Sequence, residues 1–254
     1  MLRLTLRNLM AHKVRLLMST LAIVLGVGFL SGVLVFSNGM QSTFDNIIKG
    51  STPEAMVRSA SASADNGFAV SNVSIGREYV DKLAALPEVD QAHGVVDGLG
   101  LALLSKKGKI VGGQGAPTLA FNYSNTRNLM GSETLDIVKG TYPKRMGEIL
   151  IDAPSAKRAG YRVGDTVSLV SPYGEMHREM KLVGTAVFSG GGTAGATLLF
   201  FDTKQAQEIF LGGKDVFTTI ALNGKPGVTQ QQLVDAAKPL LPAGFTAVTG
   251  DKVV

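Results

Sequence analysis

Three glycines in "FSGGGTAGA", Gly190, Gly192 and Gly195, have the G-x-G-x-x-G spacing that lets a backbone approach a pyrophosphate. That chemistry needs a helix N-terminus straight after the glycines, with its free amides and dipole facing the phosphates. The next residues are "TLLFF", a strand pattern, so the segment is expected to be a loop between two strands. Gly-Lys pairs stand at Gly108-Lys109, Gly213-Lys214 and Gly224-Lys225, but a phosphate loop requires Ser or Thr next to hold magnesium. Ile110, Asp215 and Pro226 follow instead, so nucleotide hydrolysis is not expected of these residues.

Metal and nucleophile chemistry meet the same difficulty. His12, His93 and His177 are far apart and form no H-E-x-x-H or i, i+4 pair, and surface or turn positions are expected for them. The chain has no cysteine, which removes disulfides, thiolate zinc sites and thiol nucleophiles. Serine elbows of the form G-x-S-x-G are absent as well. Glu148 and Asp152 would suit a glycosidase pair in residue type, yet solvated strand ends are the expectation for both. No catalytic residue, cofactor or metal is therefore expected.

What remains is an element that positions a domain. Leu16 to Phe36 is a run of 21 uncharged residues, a helix of about 31 Å against a hydrocarbon core of about 30 Å. No small-residue cleavage site follows, so an uncleaved anchor is expected. The chain carries a net charge of +5, with 25 basic and 20 acidic residues. Arg3, Arg7, Lys13 and Arg15 crowd before the apolar run with no acid among the first 44 residues, which leaves 21 basic against 20 acidic residues beyond. The excess is thus a positive-inside signal that keeps the N-terminus cytoplasmic, and no nucleic-acid partner is expected.

Within residues 1–15, Leu2, Leu6 and Leu9 share a helical stripe beside Arg3 and Arg7, the pattern of an elbow helix lying on membrane lipid. Inside the membrane helix, residues 16–36, Ala22 and Gly26 stand four apart, as do Gly28 and Gly32. Small residues so spaced let partner helices approach closely.

From about residue 45 the texture becomes that of an α+β domain. "PEAMVRSA" predicts a strand, "REYVDKLAAL" a helix stopped by Pro87, and residues 89–96 a second strand, together a β-α-β unit. The order recurs near the end: "VFTTIALN" as strand, a helix opened by the capping-box pair Thr229 and Gln232 and ended near Pro239, and "FTAVTG" as strand. Residues 45–100 and 190–254 are expected to form one porter-like subdomain, with residues of about 100–190 inserted as a strand-rich piece. In the insert, "GEILIDAPSAKRAGYRVGDTVSLV" predicts a strand, a short helix closed by Gly160, a turn at Gly164-Asp165 and another strand. "ATLLFFD" is expected as a buried strand leading to a helix with Asp202 and Gln205 as its capping box.

Taken in order, "LRNLMAHKVRLLMSTLAIVLGVGFLSGV", "GEILIDAPSAKRAGYRVGDTVSL", "KLVGTAVF", "FFDTKQAQEIF", "FTTIALNGKPGVTQQQLVDAAKPLLP" and "AVTG" resemble bacterial ABC-transporter permeases of the MacB/FtsX/Lol type. The resemblance implies an extracytoplasmic domain of 45–254 set between membrane helices. It also implies a cytoplasmic ATPase partner that hydrolyses ATP, and a second permease copy or paralogue as dimer partner. The outer domain would relay ATP-driven motion to export a substrate or control an extracellular partner. Such permeases return to the membrane for three further helices, and this sequence stops at Val254, so a fragment or a truncated reading frame is expected. Two rival readings are a single-pass binding or adhesion module and an anchored cell-wall hydrolase.

Overall fold

The structure is a computed structural model that describes residues 13–61, 73–112, 117–124, 126–171, 176–189, 192–193 and 195–252. The expected elbow residues Leu2, Arg3, Leu6, Arg7 and Leu9, with His12, lie outside the described residues. The chain divides between residues 45 and 46 into two compact units.

Helix α1 (Lys13–Ser51) is 39 residues long and holds a span of 19 residues, Leu17–Val35, apolar and long enough to cross a membrane. Leu17, Ile23, Leu25, Phe29 and Val35 are all exposed around it. A helix apolar on every side suits lipid rather than water. The hydroxyl of Ser19 donates to the carbonyl of Arg15 at 2.9 Å, so it needs no partner outside the helix. The helix outlasts the apolar run and stops short of Pro53, whose ring excludes helical geometry at the residue before it.

In the second unit, β1 (Ala55–Ser59), the short β2 (Ile75–Gly76), α2 (Arg77–Ala84) and β3 (Val89–Val95) come first. A middle stretch holds β4 (Asp97–Gly98), β5 (Ala102–Leu104), β6 (Ile110–Val111), β7 (Thr118–Asn122), β8 (Leu135–Gly140), β9 (Glu148–Asp152) and α3 (Ala153–Ala159). It continues with β10 (Thr166–Val170), β11 (His177–Phe188), β12 (Thr197–Phe201) and α4 (Thr203–Leu211). The chain closes with β13 (Val216–Phe217), β14 (Thr219–Gly224), α5 (Gln230–Ala237) and β15 (Phe245–Thr249).

Strands from both ends of the chain share a four-stranded antiparallel sheet in the order β15-β1-β14-β3. The middle strands form a nine-stranded sheet, β4-β7-β12-β9-β11-β10-β5-β6, with β8 also paired to β11. β12 and α4, expected with the closing part of the chain from about residue 190, belong to this middle stretch instead. β12 runs parallel to β7 and antiparallel to β9, because all five of its residues are buried and such a strand needs neighbours on both edges. The return to the four-stranded sheet follows α4.

One apolar cluster joins the two sheets, taking Val57, Ile220 and Leu222 from the first and Leu103, Ile149, Leu199 and Phe201 from the second. Each such Leu, Ile or Phe contributes about 2 kcal/mol by leaving water. A second cluster, with Leu119, Leu150, Ala186, Leu198 and Phe200, lies on the other face of the larger sheet. β11 serves both clusters because its register against β9 shifts between Leu182 and Gly184. The extra residue there reverses the alternation, so that Met180 and Leu182 face the first cluster and Ala186 the second.

The helix ends follow local chemistry. The capping box of Thr229 and Gln232 opens α5, and Gly160, at φ 80°, closes α3. The box expected at Asp202 and Gln205 does not form. Asp202 accepts from the amide of Lys204, while the side chain of Gln205, only 4% exposed, turns away to accept from the amide of Gly147 at 2.9 Å.

Candidate functional site at the end of the long helix

The residues with chemical potential stay apart. Glu148 accepts from Arg145 Nε at 2.8 Å and from the Lys144 amide at 2.9 Å, contacts that hold its carboxyl below the usual range. Asp152 is not the solvated strand end expected of it: it is 2% exposed. One of its oxygens caps α3 by accepting from the Ser155 amide at 2.9 Å, and the other accepts from the Leu198 amide at 2.7 Å. His93 sits half-buried on β3 opposite Ala221, and His177 starts β11 opposite Val170, on the other sheet. Among the described residues no cluster of acids or histidines could hold a metal. Gly192 and Gly195 lie between β11 and β12, so a strand follows them, and Gly190 is outside the described residues. Of the Gly-Lys pairs, one lies in the turn between β5 and β6, one follows α4, and one ends β14.

The small residues of α1 lie in the open. A Cβ built on Gly26, Gly28 or Gly32 meets nothing within 4 Å, and Ala22 is exposed. At 3.6 residues per turn the Ala22/Gly26 and Gly28/Gly32 rows lie about 120° apart around the helix. The two rows therefore face different directions.

A connected set of hydrogen bonds in the second unit surrounds the last turn of α1. A helix ends with carbonyls that have no partner within it. Here the carbonyl of Gly50 accepts from Asn128 Nδ2 at 3.1 Å, and that of Thr52 accepts from the Leu129 amide at 2.8 Å. The next residues are tied as tightly. Glu54 receives the Gly250 amide on its carbonyl at 2.8 Å and the Gly224 amide on its carboxylate at 2.6 Å.

Because β15 runs antiparallel to β1, with Ala55 opposite Thr249, residues 250–251 return beside the exit of α1. A Cβ on Gly250 would lie 2.3 Å from the Pro53 carbonyl oxygen and 2.8 Å from Leu129 Cδ2, so only glycine fits. Beside Asn128, Arg127 Nη2 donates to Asp90 Oδ2 at 2.5 Å and to the Gly224 carbonyl at 3.3 Å, and its own carbonyl accepts from Asn223 Nδ2 at 3.0 Å. Three consecutive loop residues thus hold the exit of α1, the end of β14, the start of β3 and the residue after β15. None of Glu54, Arg127, Asn128, Leu129 or Gly250 stands out by residue type. The sequence signal was only the polar run "NYSNTRNLMGSE", which has the texture of a loop.

A family model described as the MacB-like periplasmic core domain matches residues 16–240. Among solved structures, the periplasmic region of MacB from Actinobacillus actinomycetemcomitans aligns with a TM-score of 0.54 at 11% identity, covering 81% of this chain and 93% of that one. The extracellular domain of the noncanonic ABC-type transporter YknZ from Gram-positive bacteria aligns with a TM-score of 0.50 at 11% identity, covering 78% of this chain and all of that one. No curated protein matches. The structures share the fold, and the family model spans both the apolar helix and the two sheets. With α1 as a membrane anchor and the two sheets as its extracytoplasmic part, the chain belongs to the MacB-like periplasmic core domain family.

Proposed function

We propose that the chain is a permease subunit of a bacterial ABC-type transporter that passes ATP-driven motion from a cytoplasmic ATPase to its extracytoplasmic domain. In this reading the N-terminus is cytoplasmic, as Arg3, Arg7, Lys13 and Arg15 favour, and Leu2, Arg3, Leu6, Arg7 and Leu9 form an elbow on membrane lipid. Ala22, Gly26, Gly28 and Gly32 seat the partner helices, including those of a second permease copy or paralogue. ATP hydrolysis belongs to the partner, and the moving outer domain drives a substrate outward or controls an extracellular protein. The single observation that carries this reading is the clasp on the last turn of α1. Gly50 and Thr52 are gripped through their backbone, so displacement of that turn must displace the sheets. A tether needs no such grip. Affinity purification of the tagged gene product from its own membrane should recover an ABC ATPase in stoichiometric amount. Recovery of the permease alone under mild detergent would count against the proposal.

A further inference from the structure

We infer that residues 126–134 act as a rigid strut that fixes the nine-stranded sheet to the exit of α1, with Asn128 as its locking side chain. The chain crosses between the sheets twice, from β3 into β4 and from α4 into β13. Both crossings lie at one end of the four-stranded sheet, where Thr218 opens β14 beside Val95 at the close of β3. Two short neighbouring crossings are the layout of a hinge.

The loop bridges that hinge along the edge strand β3. At its root Asn122, 4% exposed, accepts from the Val96 amide at 2.8 Å and donates to the Gly94 carbonyl at 2.9 Å. At its tip Arg127 grips Asp90, at the opposite end of the same strand. Residues 90 and 94 of a strand are about 13 Å apart. Two anchorages separated in this way resist rotation that a single one would permit.

The loop itself is stiffened. The Asn128 amide donates to the Ser132 carbonyl at 2.8 Å, the Thr134 amide to the Thr126 carbonyl at 3.1 Å, and the Ser189 amide, just past β11, to the Thr134 carbonyl at 3.1 Å. Asn128, 1% exposed, accepts from the Met130 and Ser132 amides at 2.9 and 3.2 Å while its Nδ2 reaches Gly50. With the apolar cluster that the sheets share, the strut makes them one lever that follows the last turn of α1. This assignment of a route rests on the permease reading for its purpose, but not for its geometry.

The test needs neither ATPase nor nucleotide, so its failure is distinct from failure of the permease reading. The chain has no natural cysteine, so spin labels go on cleanly at Gln231→Cys beside the smaller sheet and Glu179→Cys on the larger, both exposed. They are placed in the full chain in lipid nanodiscs. Asn128→Asp keeps the oxygens that Met130 and Ser132 use and removes the donor to Gly50. The parent should give one narrow distance distribution and Asn128→Asp one at least about twice as broad; an unchanged width in a folded Asn128→Asp chain overturns the proposal. Should that variant fail to fold, hydrogen exchange in the parent decides. The amides of Asn128 and Leu129 should exchange as slowly as that of Asn122 in β7, and exchange orders of magnitude faster overturns it.

Discussion

Gly140 and Gly184 meet backbone to backbone where β8 pairs with β11. A Cβ on Gly140 would lie 2.1 Å from the Val183 carbonyl oxygen, and one on Gly184 would lie 2.1 Å from that of Thr141. Gly140 also has φ +76°, a left-handed geometry that disfavours side chains. Gly184→Ala must push the strands apart at the base of the loop that carries Tyr142, which stacks on Tyr123 at 4.9 Å. Overpacking of this kind costs about 2 kcal/mol, a fall of roughly 5 °C in melting midpoint for a domain of this size. Thermal melts followed by circular dichroism read it directly. A midpoint within 1 °C of the parent (about 0.3 kcal/mol) would show that the contact is looser than the structure has it.

Gly250 is the corresponding pinch at the clasp. Gly250→Ala forces the Pro53 carbonyl or the Leu129 side chain aside. The loss should be about 1–3 kcal/mol, and amide exchange at Leu129 and Gly250 should accelerate while that of β9 stays slow. Uniform acceleration would mean that the variant unfolds the whole domain and that the clasp has no local character.

Two half-buried groups give stability opposite slopes with pH. Burial pushes the Asp97 carboxyl above its ordinary range, and the Thr218 hydroxyl that donates to it pulls it part of the way back. The folded state then holds that proton more tightly than the unfolded chain. Its contribution is complete below the ordinary carboxylate value of about 3.9 and is lost as pH rises through the folded value. Burial lowers the pKa of His93, so its contribution is present above about 6.5 and is lost as pH falls through the lowered value. Urea melts of Asp97→Asn should show greater stability than the parent at neutral pH and no gain below about pH 4. A variant less stable at pH 7 would show that the carboxylate is better solvated than its surroundings imply.

Much of this architecture was legible in the sequence where local chemistry decides. The uncharged run of 16–36 is a helix, despite its glycines and β-branched residues, because a backbone in hydrocarbon must satisfy its own hydrogen bonds. Pro87 stops α2, Thr229 with Gln232 opens α5, and Gly160 closes α3. Long-range partners were not legible. Asn128 meets Gly50 across 78 residues, and no spacing rule links an asparagine in a polar loop to a carbonyl so far away. Asp152 looked like a surface carboxylate because its second partner, the Leu198 amide, is 46 residues on. The bulge at Val183 and the place of β12 depend on which strands become neighbours, which pattern alone leaves open.

The small-residue rows of α1 make a prediction that spares the outer domain. On the proposed packing, Gly28→Leu and Gly32→Leu each put a bulky side chain in the path of a partner helix, at positions where a Cβ meets nothing within 4 Å in the chain itself. Helix association in the bilayer should weaken by roughly 1 kcal/mol, about fivefold, read as loss of energy transfer between labelled helices in liposomes. The melting of the two sheets should not move. Equal association of parent and variants would remove these glycines from the interface.

The central claim is that displacement of α1 reaches the extracytoplasmic sheets through the clasp on Gly50 and Thr52. The most direct measurement is the distance between spin labels at Glu179→Cys in the two permease copies of the proposed assembly, reconstituted with the ATPase that co-purifies, in lipid, with and without trapped ATP. The account predicts a nucleotide-dependent shift of several ångströms that disappears in Asn128→Asp although ATP is still hydrolysed. The same distance in both nucleotide states, or a shift that Asn128→Asp leaves intact, would contradict it.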